Sequence, residues 1–284
     1  MGDEKKTYTE RSPKNHFMFY NARKRKQIRE WKQPENDVIS MTFGEWLERA
    51  LERDALALGS PETMDRVKAM REKRLALVTD GQEADDDEVQ VDNDREREKR
   101  MKWYYFRLNG FLEDATVDGS MDKFIFDEAT FFDPRKPSAS QFYLVNPEAQ
   151  RGINCRFGMR GIVAENHYDA SRNMIALLGG ERRYVIAAPS ECSKMALYPP
   201  NHPSGRHSSF DFSNPSEWDT HPEFKDALMN EVVLHAGDVL YLPTAWFHYI
   251  TNLGLNYQCN IRSGVSEESA DALRKCGFDP PKEK

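Results

Sequence analysis

The tripeptide His167-Tyr168-Asp169 and the block Gly237-Asp238-Val239-Leu240-Tyr241-Leu242-Pro243-Thr244-Ala245-Trp246-Phe247-His248 decide how this sequence is read. On a β-strand, residues two apart project from the same face. His167 and Asp169 therefore present an imidazole and a carboxylate together, while Tyr168 points away. Two such ligands cover one edge of a metal's coordination sphere. A histidine from a distant strand would complete a 2-His-1-carboxylate facial set, which leaves adjacent positions open on iron(II). Elimination among the seven histidines selects the third ligand. His202 and His207 lie in a Pro/Ser/Gly-rich loop, His221 precedes Pro222, and His16 sits in the charged N-terminal third. His235 ends a strand just before the turn Ala236-Gly237-Asp238. His248 follows an apolar strand and stands among aromatics, so His167, Asp169 and His248 are the expected metal ligands.

Working outward, short segments rich in β-branched and aromatic residues recur from Trp103 onward, separated by Gly, Pro, Asn and Asp. Residues 154–159, 173–178, 182–188, 231–234, 239–242, 247–251 and 257–262 read as strands. Many short strands between turn signals imply a mainly β sandwich or barrel, and a jelly roll manages the sheet edges by double-sheet packing. Before residue 100 charge dominates. Phe43, Trp46, Leu47, Ala50 and Leu51 follow the spacing of a helix with one buried face. Thr42 with Glu45 offers a capping box at its start. A weaker helix is expected over residues 61–78, and a short C-terminal one over 267–276. Residues 80–94 carry eight acids and no base, which read as a flexible insert or linker. The basic run Arg23, Lys24, Arg25, Lys26, Arg29 and Lys32 reads as a solvated helix or as a polyanion-binding patch. The resulting division is an N-terminal strand and helical flank, residues 1–102, ahead of a catalytic β region, residues 103–284.

Composition narrows the function classes. Apolar residues make up 39% of the 284-residue chain, enough for a sizeable core. The net charge of −7 argues against non-specific nucleic-acid binding. No apolar run is long enough to span a membrane, and the N-terminus lacks a secretory h-region. Four scattered cysteines without a CxxC pair suggest neither a disulfide scaffold nor a structural zinc, and point to a reduced intracellular compartment, cytoplasmic or nuclear. Signatures for phosphate cradling, HExxH metalloproteases and GxSxG hydrolases are absent.

Together, His167-Tyr168-Asp169, Asn173, Gly179-Gly180-Glu181-Arg182-Arg183-Tyr184 and the Gly237–His248 block resemble the JmjC-type, cupin-like oxygenases that use iron(II) and 2-oxoglutarate. Within that family the chain is most similar to the small protein hydroxylases typified by the asparaginyl hydroxylase that inhibits hypoxia-inducible factor. Gly158-Met159-Arg160-Gly161, Leu197-Tyr198-Pro199-Pro200 and Asp211-Phe212-Ser213-Asn214-Pro215 extend the match, as does Met41-Thr42-Phe43-Gly44-Glu45-Trp46-Leu47. The resemblance implies a double-stranded β-helix with flanking helices and with iron at one mouth. It also implies a reaction in which O2 converts 2-oxoglutarate to succinate and carbon dioxide while a substrate C–H bond is oxidised. His167, Asp169 and His248 match the iron ligands; Asn173 and Asn260 match polar positions of the cosubstrate pocket. The family's pocket tyrosine falls on Tyr104 or Tyr105. Strand parity independently groups Gln258, Asn260 and Arg262 on one face.

The departures are specific. Arg182 stands where close relatives carry a lysine that pairs with the distal carboxylate of 2-oxoglutarate, and Ala164 replaces a hydroxyl residue three positions before His167. The swap to arginine is not conservative. Arg182 shares a strand face with Tyr184 and Ile186 and is expected to look into the barrel as the cosubstrate anchor, with Arg183 facing out. The resemblance implies a protein or peptide substrate. The alternatives are an N-methyl-lysine demethylase of the same chemistry and a catalytically silent metal-binding module. The match starts near the middle of the family's pattern, so a preceding strand and helix are expected to be missing or replaced.

Overall fold

Alternating burial along the strands closes two sheets around one cavity in this computed structural model, which describes residues 6–21, 24, 31–78, 102–111, 114, 116, 118, 120–128, 130 and 149–282. The strands are β1 (Lys6–Ser12), β2 (His16–Phe17), β3 (Asp37–Thr42), β4 (Trp103–Gly110), β5 (Gln150–Gly158) and β6 (Val163–Tyr168). They continue with β7 (Asn173–Gly179), β8 (Glu181–Ala187), β9 (Asn230–His235), β10 (Val239–Leu242), β11 (Phe247–Asn252) and β12 (Asn256–Ser263). The larger sheet runs β10-β7-β12-β5-β4-β1-β3 and the smaller β2-β6-β11-β8-β9, a mainly β, jelly-roll arrangement. Each segment read as a strand from the sequence falls within one of these strands or overruns it by a residue. The acidic stretch 80–94 lies outside the described residues, as does most of the basic run 23–32.

β1 and β3 were not legible. Both are polar: β3 is an edge strand of the larger sheet, and β1 lies between β3 and β4. Their alternation hides small buried residues, Thr9 and Ser12, behind charged outer ones. The helix α1 (Phe43–Leu58) starts where expected, and both capping-box bonds are present: Glu45 N–H donates to Thr42 Oγ1 at 3.2 Å and Thr42 N–H donates to Glu45 Oε2 at 2.8 Å. Its buried stripe packs on the larger sheet through Trp46, Phe43, Phe106 and Phe157, whose rings stand 5.4–5.9 Å apart. Trp46 also donates its indole N–H to the carbonyl of Tyr104 at 3.0 Å. The second helix, α2 (Pro61–Val78), has no strong apolar stripe. It is held by Val67 and by Arg71 and Arg74, which clasp the buried Glu48 of α1 at 2.7 and 3.1 Å. Two short helices follow, α3 (Met121–Glu128) and α4 (Ala270–Lys275).

The cysteine expectation is corrected. All four pair, as Cys155–Cys259 and Cys192–Cys276. The register of β5 against β12 sets Cys155 directly opposite Cys259, with Cα atoms 4.0 Å apart, and the second pair joins the short 3-10 helix Pro189–Lys194 after β8 to the residue that follows α4, with Cα atoms 6.2 Å apart. Sequence separations of 104 and 84 residues conceal both pairings. Cysteine usage therefore gives no support to a reduced compartment. Among the described residues, no helix is long and apolar enough to cross a membrane.

Trp46 carries the junction between α1 and the larger sheet, so Trp46→Ala is expected to destabilise the fold by about 3–5 kcal/mol. Trp46→Phe, which keeps most of the packing and loses the hydrogen bond, should lose less. Chemical denaturation checks both.

Candidate metal centre and its cavity

A β-bulge in β6 aims the first candidate ligand. Against β11, Ala164 pairs with Ile250 and His167 with His248, so Glu165 and Asn166 together oppose Tyr249. The extra residue shifts parity, and Ala164 and His167, three apart, both face one cavity of about 290 Å³. That size lies at the lower end of ligand pockets, ~300–1,000 Å³. Asp169 follows just past the end of β6, and His248 enters from β11 after the turn Pro243–Trp246. One ligand atom from each of His167, Asp169 and His248 lies within 4.8 Å of the other two, and the two imidazole centroids are 4.2 Å apart.

The surroundings of the three side chains fix what each can offer. His167 Nδ1 lies 2.7 Å from the Glu165 carbonyl, and His248 Nδ1 lies 3.1 Å from the Trp246 carbonyl. A carbonyl only accepts, so both rings carry their proton on Nδ1, which leaves the Nε2 lone pairs free. Burial pushes both imidazoles below their usual range, with His248 and His207 adding to the effect on His167, so both are neutral. For Asp169 burial works in the other direction, but Arg262 foremost outweighs it and holds the carboxyl below the ordinary range. Arg262 Nη2 donates to Asp169 Oδ2 at 2.8 Å, and Asn173 Nδ2 donates to the same oxygen at 3.3 Å. Asn260 Nδ2 in turn donates to Asn173 Oδ1 at 2.8 Å. One carboxylate oxygen is thus occupied, and among the described residues Oδ1 makes no such bond. Two neutral nitrogen donors and one anionic oxygen suit a divalent first-row transition ion.

The expected cosubstrate residues divide. Asn173, Asn260 and Tyr105 line the cavity, with Gln258 and Arg262 as strand parity required. Tyr104 does not: it is buried on the opposite face of β4, beneath the Arg49 guanidinium. Arg182 is fully buried and faces inward, whereas Arg183 faces out and pairs with Glu231 at 2.6 Å. Arg182 nevertheless stands one layer behind the cavity wall, its guanidinium 6.0 Å from the ring centroid of Tyr105. It donates through Nε to Asn256 Oδ1 and through Nη2 to the Arg156 carbonyl at 3.3 Å, while Nη1 is buried with no partner among the described residues. No carboxylate pairs with it there. A buried guanidinium with an orphaned N–H is costly unless an anion completes it.

Other wall residues escaped the sequence reading. Arg156 lies on the cavity with its cation depressed to about 9 by burial and then by Arg107. His207, set aside as a loop histidine, stacks on His167 with centroids 4.8 Å apart and also lines the cavity. Its loop is drawn in by Arg206, which adopts a left-handed φ of 78° and donates to the Tyr168 carbonyl at 3.0 Å. Such a backbone state costs a non-glycine residue about 1–3 kcal/mol and clusters at functional sites. No local sequence pattern announces it. Parity along β5 was the available signal for Arg156, because Asn154 and Arg156 share a face.

The family described as a cupin-like domain matches residues 62–262. Among curated proteins, the chain is 32% identical to "Lysine-specific demethylase 8" of Xenopus tropicalis, over 38% of this chain and 24% of that protein. It is 26% identical to "Lysine-specific demethylase JMJ31" of Arabidopsis thaliana, over 46% of this chain and 22% of that protein. It is also 26% identical to "tRNA wybutosine-synthesizing protein 5" of Danio rerio, over 46% of this chain and 34% of that protein. The matched stretch spans between about a fifth and a third of the length of these relatives.

Removing the support of Asp169 should loosen the candidate metal centre without unfolding it. Arg262→Ala and Asn173→Ala are each expected to weaken Mn(II) binding about 10–100-fold, read by calorimetric titration, while Arg183→Ala leaves it unchanged. Equal affinity in all three variants would show that the carboxylate needs no such support.

Proposed function

Since the chain belongs to the cupin-like domain family, we propose that it is an iron(II)- and 2-oxoglutarate-dependent oxygenase that hydroxylates a protein side chain. The observation that carries this reading is the matched pair of Nδ1–carbonyl contacts at His167 and His248, beside an Asp169 carboxylate with one oxygen already engaged. That arrangement presents two Nε2 atoms and one Oδ1 to a single ion and leaves its remaining positions to ligands from the cavity. When bound, iron and 2-oxoglutarate supply the O2-dependent oxidation of a C–H bond.

The chain's own residues hold and orient. His167, Asp169 and His248 ligate the ion, and Asn260 and Asn173 lock the carboxylate rotamer. Arg182, with its orphaned Nη1 one layer behind the wall, and Arg156, which donates to Asn109 Oδ1 and to the Cys155 carbonyl, supply positive charge at and behind the cavity wall, where Glu10 is already paired with Arg107. They fit the distal carboxylate of the cosubstrate, with Tyr105 and Gln258 as hydrogen-bonding wall. Ala164 offers no hydroxyl there, so the two arginines take a larger share of the anchoring than a single lysine does.

Wall charge favours hydroxylation over N-methyl-lysine demethylation. The acids on the cavity are Glu10, which pairs with Arg107, and Asp169, which pairs with Arg262. Arg156 and Arg206 add further positive charge. A methylated lysine ammonium would meet several arginines and, among the described residues, no unpaired carboxylate on the wall, whereas a neutral or acidic side chain would be welcomed. The relatives named as lysine-specific demethylases keep demethylation as the second reading. The acidic net charge sets the tRNA-modifying relatives further away.

The cosubstrate reading is tested by titrating 2-oxoglutarate into iron-loaded protein without oxygen. Losing a desolvated charge pair costs about 2–5 kcal/mol. At about 1.4 kcal/mol per decade, Arg182→Ala should bind 2-oxoglutarate at least roughly thirtyfold more weakly, while Arg183→Ala binds normally and Arg182→Lys retains binding. Normal binding by Arg182→Ala would move the anchor elsewhere. Absence of binding in both wild type and Arg182→Lys would favour the silent module. In air, the hydroxylase reading expects unmethylated peptides to stimulate conversion of 2-oxoglutarate to succinate; release of formaldehyde from methyl-lysine peptides would favour the second.

A further inference from the structure

The β6 bulge that turns His167 into the cavity leaves its neighbour Glu165 outside the cavity wall, where it meets two side chains from separate elements. His16 comes from β2, which runs parallel to β6 with His16 opposite Val163. Asp211 comes from the loop between β8 and β9. One ligand atom from each of His16, Glu165 and Asp211 lies within 4.8 Å of the other two. Among the described residues, this is the one such gathering besides the cavity triad.

The two carboxylates flank His16, Glu165 at its Nδ1 and Asp211 at its Nε2. Asp211 Oδ1 accepts from the backbone N–H and the hydroxyl of Ser213, both at 2.7 Å, which commits that oxygen and leaves Oδ2 3.6 Å from His16 Nε2. The Asp211 N–H is tied to Glu217 Oε2 at 3.0 Å, so the loop carrying it is held. Glu165 is 7% exposed. Its Oε1 meets His16 Nδ1, and its Oε2 is buried without a partner among the described residues. Two carboxylates, Glu165 and Asp211, therefore flank one imidazole, and among the described residues no lysine or arginine forms an ion pair with either of them. Hydrogen bonding within the cluster leaves one buried carboxylate oxygen unsatisfied and a net negative charge in a low-dielectric place, which is expensive unless a cation enters.

We propose that His16, Glu165 and Asp211 form a second site, for a divalent first-row transition ion such as zinc, back to back with the cavity triad across β6. One imidazole nitrogen and two carboxylate oxygens, completed by water, are a donor set such an ion accepts. Glu165 Oε1 faces Nδ1 and Asp211 Oδ2 faces Nε2, so one carboxylate would turn to join the other on a single ion, where neighbouring ligands of a tetrahedral zinc stand roughly 3.4 Å apart. The ion would clip the two-residue strand β2 to β6. Phe17, the next residue of β2, is 6% exposed and forms part of the cavity wall, and Phe19 lies two further on. The site thus secures the wall segment on which the cavity closes and takes no part in the oxidation.

The test separates the two centres. In full-length His167→Ala/Asp169→Ala protein, equilibrium dialysis against Zn(II) followed by metal analysis should find one retained equivalent, against two in the wild type. Adding Asp211→Asn, which keeps an oxygen for Ser213, or Glu165→Gln should weaken that equivalent at least tenfold and abolish the zinc-induced rise in Tm. Circular dichroism confirms that each variant is folded. If one substitution unfolds the chain, the other decides. No zinc retained by the His167→Ala/Asp169→Ala protein, or zinc retained equally after either added substitution, overturns the second site and leaves His16 as an imidazolium bridging two acids.

Discussion

The 2.8 Å ion pair between Arg262 and Asp169 is the contact from which the cavity's chemistry follows. It holds a buried carboxylate ionised against the desolvation that opposes charge in such a place, and it occupies one of its two oxygens. With Oδ2 fixed, Asp169 presents a single anionic donor beside two neutral imidazoles. Were the pair absent, the carboxylate would either take up a proton or swing between rotamers, and a facial set of ligands would have no third corner. The Asn260–Asn173 relay reinforces the same geometry from the neighbouring strand of the larger sheet. Because Arg262, Asn260 and Asn173 belong to β12 and β7 while His167 and His248 belong to β6 and β11, the centre depends on the two sheets facing each other in register.

Much of this was legible in the sequence because it rests on period-two alternation. The inward Arg182 and outward Arg183, and the shared face of Gln258, Asn260 and Arg262, follow from strand parity, whereas Asp169 reaches the cavity from just past the end of β6. The capping box of α1 is a local hydrogen-bond pattern and so is readable from four residues. The choice between Tyr104 and Tyr105 was open only because the register of β4 was unknown; once β4 pairs with β5, Tyr105 falls on the cavity face and Tyr104 beneath α1.

What escaped depends on long-range register or on irregular backbone. Cys155 and Cys259 pair because β5 and β12 are neighbours in a particular register, a fact no spacing encodes. His207 reaches the cavity through a loop that holds Arg206 in a left-handed conformation, and nothing in Ser204-Gly205-Arg206-His207 requires that loop to fold back onto His167. The bulge at Glu165–Asn166 is likewise silent in sequence. It matters twice, since it carries Ala164 to the cavity and sends Glu165 to the other side. Arg182 is the instructive intermediate: parity gave its direction, but not that its guanidinium stands beside Tyr105 and off the cavity wall.

Anomalous diffraction from crystals of the full chain soaked with Mn(II), an inert stand-in for iron(II), tests the central claim most directly. The account predicts one ion in the cavity, ligated by His167 Nε2, His248 Nε2 and a single oxygen of Asp169, with Arg262 still on the other oxygen. An ion held through Nδ1, by His207 in place of His248, or by both oxygens of an Asp169 freed from Arg262 would contradict it.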